Sequence, residues 1–439
     1  MPRSLEIRPF DGKFNASIQP PGSKSITNRA LVCAAFAIGR VSNLINVLDS
    51  DDSKVMIESL QRLGCVIDKQ SPSRVAVWGL DGSAAFAERL HNPASAETIE
   101  LFVGNSGTTI RFLTAALAIA GGNYRLSGVP RMHQRPIGDL VRALNQLGAN
   151  VKSASPHDCP PVTINNERCR GGITTVRGNI SSQYLSGLMM AAPLAEGTVE
   201  IHVEGELVSR PYVEMTAAVM QAFGVACHVN ADFNRFAIEA GQQYRVCDYT
   251  IEPDASAASY FWGAAAICGG TVKVTGLNRH SIQGDVQFAA CLARMGCGVL
   301  FADDGISVTG PATRAVELVM SDISDTVQTM AAVALFLPAT TIIRGVAHNR
   351  VKETDRIGNL ATELRKLGAV VDELPDGLAI HPGPLRAAQI ETYDDHRMAM
   401  SLSLVGLRQP GVIILEPECV SKTYPNFYED LEKICRPTG

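Results

Sequence analysis

Positive charge is in short supply in this chain of 439 residues. It carries 39 Lys and Arg against 44 Asp and Glu, a formal net charge of −5 and a pI near 6.0. No global excess of cations exists to neutralise a polyphosphate backbone, which excludes nucleic acid as the expected partner. Any anion must be held by a local cluster of cations and backbone N–H groups. The eleven cysteines are scattered, with no CxxC pair and no Cys/His spacing that suits zinc, and they read as reduced thiols. Long apolar runs are missing too. MAAVALFLP at 330–338 is far too short to span a bilayer, and the opening MPRSLEIRPF lacks an apolar stretch of signal-peptide length. The expected compartment is the cytoplasm, with no membrane contact. There is no P-loop, no GxGxxG fingerprint and no metal-ligand triad, so no cofactor and no metal are expected. What is present is 46% hydrophobic and 19% charged residues, enough for two or three globular domains with their own cores.

The chain repeats itself. A helical pattern ending in a capping Gly and a short β-like run recurs as SLQRLGCVI, ALNQLGANV, VMQAFGVACHV, CLARMGCGV and ELRKLGAVV, with glycines at Gly64, Gly148, Gly224, Gly296 and Gly368. The intervals are 84, 76, 72 and 72 residues. A sixth glycine would fall near position 440, so the last unit reads as truncated. Before each copy stands a second pattern, a polar start followed by small apolar residues: SKSITNRALVCAAFA, NSGTTIRFLTAALAIA, SSQYLSGLMMAAPLA, DASAASYFWGAAAI, SDTVQTMAAVALFL and DDHRMAMSLSLVGL. The Ser, Asp and Asn residues at these starts suit helix N-caps. Helices this rich in Ala lack a polar face and belong in a core, while the mixed Leu-Gly helices belong on a sheet surface. Six α/β subdomains follow, in two pseudo-threefold domains with a boundary near residue 251. Units of this length suit compact subdomains better than a linear solenoid.

Helix starts gathered in equivalent places collect unpaired N–H groups and positive dipole ends, which attract anions. The first three starts offer Lys24, Ser25, Arg29, Asn105, Ser181, Ser182 and Gln183; the last three offer Asp254, Asp325, Asp394 and Asp395. Gly107 leaves room for backbone approach to a ligand. Arg131 and Arg135 near Pro136 could clamp a carboxylate or phosphate, or sit solvated on the surface. In NRVKETDRIGNL the residues Lys352, Glu353 and Arg356 are expected in the first turn of a helix, at i,i+3 and i,i+4 spacings. His396, Arg397 and Lys422 add to the set. With Arg111 the candidate cations are spread over both halves, and Asp325 and Glu353 among them suit general acid and base chemistry.

These motifs resemble the enolpyruvyl transferases, and among them the branch whose acceptor is a phosphorylated shikimate. PGSKSxxNR, GNxGTxxR, PRMxxRPIG, SSQ, SRPY, RVKETDR, DHRMAM and KTYP occur in that family's order along essentially the whole chain. The resemblance implies a two-domain inside-out α/β barrel with three βαβαββ repeats per domain. The domains would be 1–21 with 252–439, and 22–251, with the active site in the cleft between them. It implies contacts of shikimate-3-phosphate with Lys24, Ser25, Arg29, Ser181, Ser182, Gln183, Ser209, Tyr212, Asp325 and Lys352. Phosphoenolpyruvate would meet Lys24, Asn105, Gly107, Arg131, Gln183, Arg356, Arg397 and Lys422. Asp325, Glu353 and Lys24 would be catalytic, and the protein would work as a monomer in the shikimate pathway. Departures lie at Ser106, Thr109 and Phe112, where a common form of the second motif has Ala, Ala and Pro; these leave the response to glyphosate open. His348 stands where some members carry an Asn. A sister branch, acting on UDP-N-acetylglucosamine, usually has a Cys five residues before its Arg-Pro, where this chain has Pro130. A non-catalytic anion-binding protein of the same fold would have no reason to hold Asp325 and Glu353 among cations.

Overall fold

The structure is a computed structural model and describes residues 4–91 and 97–436; the expected domain bounds also take in 1–3 and 437–439, which lie outside that range. The chain divides into two compact units, Met1–Pro21 with Glu252–Gly439, and Gly22–Ile251. In Gly22–Ile251 the described helices are α1 (Lys24–Ala35), α2 (Asp51–Arg62), α3 (Ala84–His91), α4 (Gly107–Ala120), α5 (Gly138–Gln146), α6 (Ser182–Ala191) and α7 (Arg210–Ala222). The other unit holds α8 (Ala255–Cys268), α9 (Gln287–Arg294), α10 (Val327–Ala334), α11 (Gly358–Lys366), α12 (His396–Gly406) and α13 (Phe427–Cys435).

One sheet pattern recurs. In Gly22–Ile251, strand Ile99–Phe102 runs parallel to Gly122–Ser127, the strand after α4, which then pairs antiparallel with Val162–Asn166 of a hairpin begun by Val151–Ser153. The same parallel, antiparallel, antiparallel order is repeated by Gly172–Arg177, Val199–Glu204, Arg235–Ile238 and His228–Val229. It is repeated again by Tyr249–Thr250, Val41–Ile45, Arg74–Trp78 and Ile67–Ser71, the entry strand here coming from the end of the unit. The discontinuous unit has two such sheets, entered by Phe14–Ile18 and by Glu317–Val319. Its third has three strands, in which Ser4–Glu6 pairs antiparallel with Val412–Leu415. Strands from the first twenty residues complete two sheets there, which is why that unit is split in sequence. This is the βαβαββ repeat of a mixed α/β fold.

The small apolar helices are the interior. Every residue of α4, α8 and α12 is buried. A helix with no polar face can be accommodated only where other elements surround it. In the discontinuous unit α8, α10 and α12 pack on one another, and Gly263 sets how closely. A Cβ at that position would lie 2.8 Å from Thr329 Cγ2 and 3.1 Å from Leu404 Cδ1, on the two neighbouring helices. The hydroxyls of Ser259, Thr329 and Ser401, one from each helix, form a chain with spacings of 3.1 Å. Buried hydroxyls are thereby satisfied within the core. The outer helices end as their sequences imply: Gly64, Gly148, Gly224, Gly296 and Gly368 all have positive φ. At each, the following residue's N–H reaches back to the helix, as Cys65 does to the Leu60 carbonyl at 3.0 Å.

Candidate active site

In Gly22–Ile251 the predicted residues lie around the heads of α1, α4, α6 and α7. Lys24 opens α1, and its ammonium stands 3.6 Å from the carboxylate of Asp52 in the first turn of α2. Nothing in the sequence sets Asp52 apart, because acids in a first turn, as in SDDSK, are ordinary complements to the helix dipole. Arg29 is 1% exposed. Its Nε donates to Thr216 Oγ1 at 2.7 Å, Nη1 to the Ser25 carbonyl at 2.8 Å, and Nη2 to Ser186 Oγ and the Tyr212 carbonyl, each at 3.2 Å. The guanidinium also lies 5.1 Å from the ring centre of Phe112. Burial lowers its pKa to about 10, which leaves it charged at neutral pH. Arg29 therefore joins α1 to α4, α6 and α7, and it fixes Tyr212 at the head of α7 beside the left-handed N-cap residue Ser209.

The loop into α4 corrects one expectation. A Cβ at Gly107 would lie 2.6 Å from Arg135 Nη2 and 2.7 Å from Arg111 Nη1, so this glycine makes room for two resident guanidiniums. Arg135, expected to act beside Arg131 as a clamp, is 2% exposed and turned inward, donating to the Asn105 carbonyl at 2.9 Å. Arg131 is half-buried and donates to Gln134 Oε1 at 3.1 Å. Arg111 donates to Gln183 Oε1 at 2.6 Å and so orients that amide. Ser181 caps α6 by accepting the Gln183 N–H, with Ser182 buried next to it. Of the residues departing from the common motif, Ser106 caps α4 and meets Thr109 Oγ1 at 2.8 Å, while Phe112 supports Arg29.

In the discontinuous unit one ion-pair cluster gathers Asp325, Lys352, Glu353, Arg356 and Arg397. The Asp325 carboxylate lies 2.6 Å from Arg397 Nη2, 3.4 Å from Arg356 Nη1 and 3.7 Å from Lys352 Nζ. The sequence pattern puts Asp325 at the start of its helix, but the N-cap of α10 is Thr326, the last residue of the 3-10 segment Ser321–Thr326. The carboxylate is thus turned to the cations instead of to the helix N–H groups. Asp254 and Asp395 do cap, accepting the N–H groups of Ala257 and Arg397. Asp395, fully buried, also holds Arg356 in a bidentate pair at 2.7 and 3.0 Å, and Glu353 completes the guanidinium's surroundings at 2.8 Å.

The predicted first-turn placement of Lys352, Glu353 and Arg356 is not what the structure shows. They lie in the loop between the 3-10 segment Ala347–Val351 and α11, which starts only at Gly358. Asp355 is the physical reason: its Oδ1 accepts the N–H groups of Ile357 and Gly358 at 3.1 and 3.0 Å, and the helix begins beyond it.

Burial holds the Lys352 ammonium below its usual range, with Asp325 opposing that effect. Burial acts against Arg356 as well, but Asp395, Glu353 and Asp325 outweigh it and keep the guanidinium firmly charged. His348 is 6% exposed, and burial together with Lys352 pushes its pKa down to about 3, so the ring is neutral at physiological pH. Lys422 closes the 3-10 segment Pro417–Lys422, which packs on α12.

Five βαβαββ repeats and a sixth whose sheet has three strands, in two units, with cations and carboxylates gathered at helix heads and on the loop before α11, define the enolpyruvyl transferase class. The model of the family described as EPSP synthase (3-phosphoshikimate 1-carboxyvinyltransferase) matches residues 11–431. A 3-phosphoshikimate 1-carboxyvinyltransferase of Shewanella sp. (strain W3-18-1) is 47% identical over 98% of this chain and 99% of its own. That of Vibrio campbellii is 44% identical over the same shares. An EPSP synthase structure from Acinetobacter baumannii superposes with a TM-score of 0.78 at 24% identity, covering 98% of both chains, and shows the fold. The chain belongs to the EPSP synthase (3-phosphoshikimate 1-carboxyvinyltransferase) family.

Proposed function

We propose that the chain transfers the enolpyruvyl group of phosphoenolpyruvate to the 5-hydroxyl of shikimate-3-phosphate, giving 5-enolpyruvylshikimate-3-phosphate and phosphate within the shikimate pathway. The hydroxyl oxygen bonds to the enol carbon as the methylene gains a proton. The tetrahedral intermediate then loses phosphate and one methyl proton, which restores the double bond. The substrate hydroxyl is the nucleophile, so no covalent enzyme residue is needed.

The observation that carries this reading is the Asp325 cluster. A carboxylate within ion-pair reach of Lys352, Arg356 and Arg397 is one poised to take the hydroxyl proton amid cations that accept developing negative charge. Glu353 and Lys24 are assigned to the methylene. Arg131, Arg356, Arg397, Lys422, Asn105 and Gly107 are assigned to phosphoenolpyruvate. Ser25, Arg29, Ser181, Ser182, Ser209, Tyr212, Asp325 and Lys352 are assigned to the phosphorylated shikimate, and Lys24 and Gln183 to both substrates. Oriented by Arg111, the Gln183 amide presents a fixed dipole to the ligands. The reading carries with it a monomer working in the cytoplasm. Among the described residues no helix is long and apolar enough to cross a membrane.

Asp325→Asn tests the assignment. The variant keeps its affinity for shikimate-3-phosphate in calorimetry and loses turnover by about 10²- to 10⁴-fold. Near-normal turnover would remove Asp325 from the mechanism.

A further inference from the structure

Behind the Asp325 cluster stands a second carboxyl that the reaction as described does not use. Asp285 sits in the 3-10 segment Gly284–Val286 and is 4% exposed. The Ser256 hydroxyl, in the first turn of α8, donates to its carboxyl. The segment packs against α8, α9 and Ser321–Thr326. Asp325, on the adjoining Ser321–Thr326, and Asp254, at the head of α8, act on Asp285 as like charges, and Arg397 of α12 acts as the opposing one. Asp322 also belongs to Ser321–Thr326, and α9 carries Arg294 in its last turn and the thiol of Cys291, which burial raises and so keeps neutral. Glu252 lies two links away, accepting from the amide of Gln283, which in turn accepts the Ala255 N–H. Asp285 thus draws on the charge of Arg397, and Arg397 is already engaged with Asp325 at 2.6 Å through Nη2 and with the Asp325 carbonyl at 3.0 Å through Nη1.

An anion arriving at Arg397 draws on the charge that compensates these carboxyls, and like charges that lose their counter-ion favour the protonated form. The member of the group most ready to take a proton is the one most deeply buried beside them. We propose that Asp285 is a positioning residue that acts through Asp325 and Arg397, taking up one proton as an anionic substrate binds and so leaving the cations to that substrate. This rests on the assignment of phosphoenolpyruvate to Arg397.

Burial, followed by Asp325, raises the Asp285 carboxyl to about 7, so the proton exchanges in the working range. The sign follows from linkage. Below that value Asp285 is already protonated and binding is indifferent to pH. Above it each binding event must draw a proton from solution, so affinity falls by up to about tenfold per pH unit. The same raised pKa makes Asp285 contribute stability below the unfolded carboxylate range, stability that is lost as pH rises toward 7.

Asp285→Asn mimics the protonated state at every pH. The KM for phosphoenolpyruvate, measured from pH 6.5 to 8.5 at saturating shikimate-3-phosphate, should rise more steeply with pH in the wild type than in the variant. The ratio of the two values should grow by several-fold to about tenfold between pH 7.5 and 8.5. The substrates' own phosphate ionisations act equally on both proteins and cancel in that ratio. Thermal melts give a readout that needs no turnover: the wild type should lose stability relative to the variant between pH 5 and 8, whatever the offset between them. Parallel KM profiles with parallel melting curves would overturn the proposal. Absence of turnover in the wild type would instead refute the enzymatic reading, and the melting curves would still decide whether Asp285 titrates where proposed.

Discussion

Gly107 illustrates how a single missing side chain organises one part of the candidate site. The space over it is occupied by the guanidiniums of Arg135 and Arg111, and these hold Asn105 and Gln183 respectively. Gly107→Ala must displace at least one of them from a hydrogen-bonded, buried position. An off-rotamer arginine costs about 0.5–1.5 kcal/mol, which corresponds to roughly two- to tenfold in an equilibrium constant. The variant should therefore raise the KM for phosphoenolpyruvate by about that factor and leave that for shikimate-3-phosphate nearer its starting value. Equal changes in both would show that Asn105 and its loop do not serve phosphoenolpyruvate. Residue types and their order point to most of this region, since PGSKSITNR, GNSGTTIR and SSQ all stand at helix heads. The partners of those residues are not legible in the same way. That Arg135 turns to the Asn105 backbone, that Asp52 meets Lys24 and that Asp395 grips Arg356 depend on contacts between elements far apart in sequence. Local spacing carries no signal for them.

At the scale of elements, the glycines that end the outer helices and the one inside α8 answer to different physics. Gly148 has φ +89, and a Cβ there would meet nothing within 4 Å, so its requirement is backbone strain alone. Gly263 has ordinary backbone but neighbours at 2.8 and 3.1 Å, so its requirement is space. Gly148→Ala should cost about 1–2 kcal/mol through the left-handed conformation, and Gly263→Val about 1–3 kcal/mol through overpacking. Urea denaturation of the two variants checks both figures, and an undisturbed midpoint for Gly263→Val would contradict the close helix packing. The capping glycines are readable in the sequence because Leu-Gly followed by an apolar run is a local signal. The start of α11 is not. An i,i+3 and i,i+4 pattern in KETDR imitates a first turn, but Asp355 captures the Ile357 and Gly358 N–H groups and delays the helix, leaving Lys352, Glu353 and Arg356 on a loop where they can converge on Asp325 and Asp395.

For the whole molecule, a net charge of −5 coexists with two local collections of cations, one around the heads of α1, α4 and α6 and one around Asp325. Anions are accommodated by placement and not by overall field. Among the described residues no group of three or more His, Cys, Asp or Glu side chains is placed to hold a metal ion. Charge stabilisation in the proposed reaction falls to Lys and Arg side chains, and incubation with a chelator followed by assay should leave the rate unchanged; a strict requirement for added metal would contradict that division of labour. The central claim is the identity of the donor and acceptor. Phosphate release from phosphoenolpyruvate by the purified protein, measured with shikimate-3-phosphate and separately with UDP-N-acetylglucosamine, tests it most directly. The account predicts release with the phosphorylated shikimate alone. Release only with the sugar nucleotide, or with neither acceptor, would contradict it.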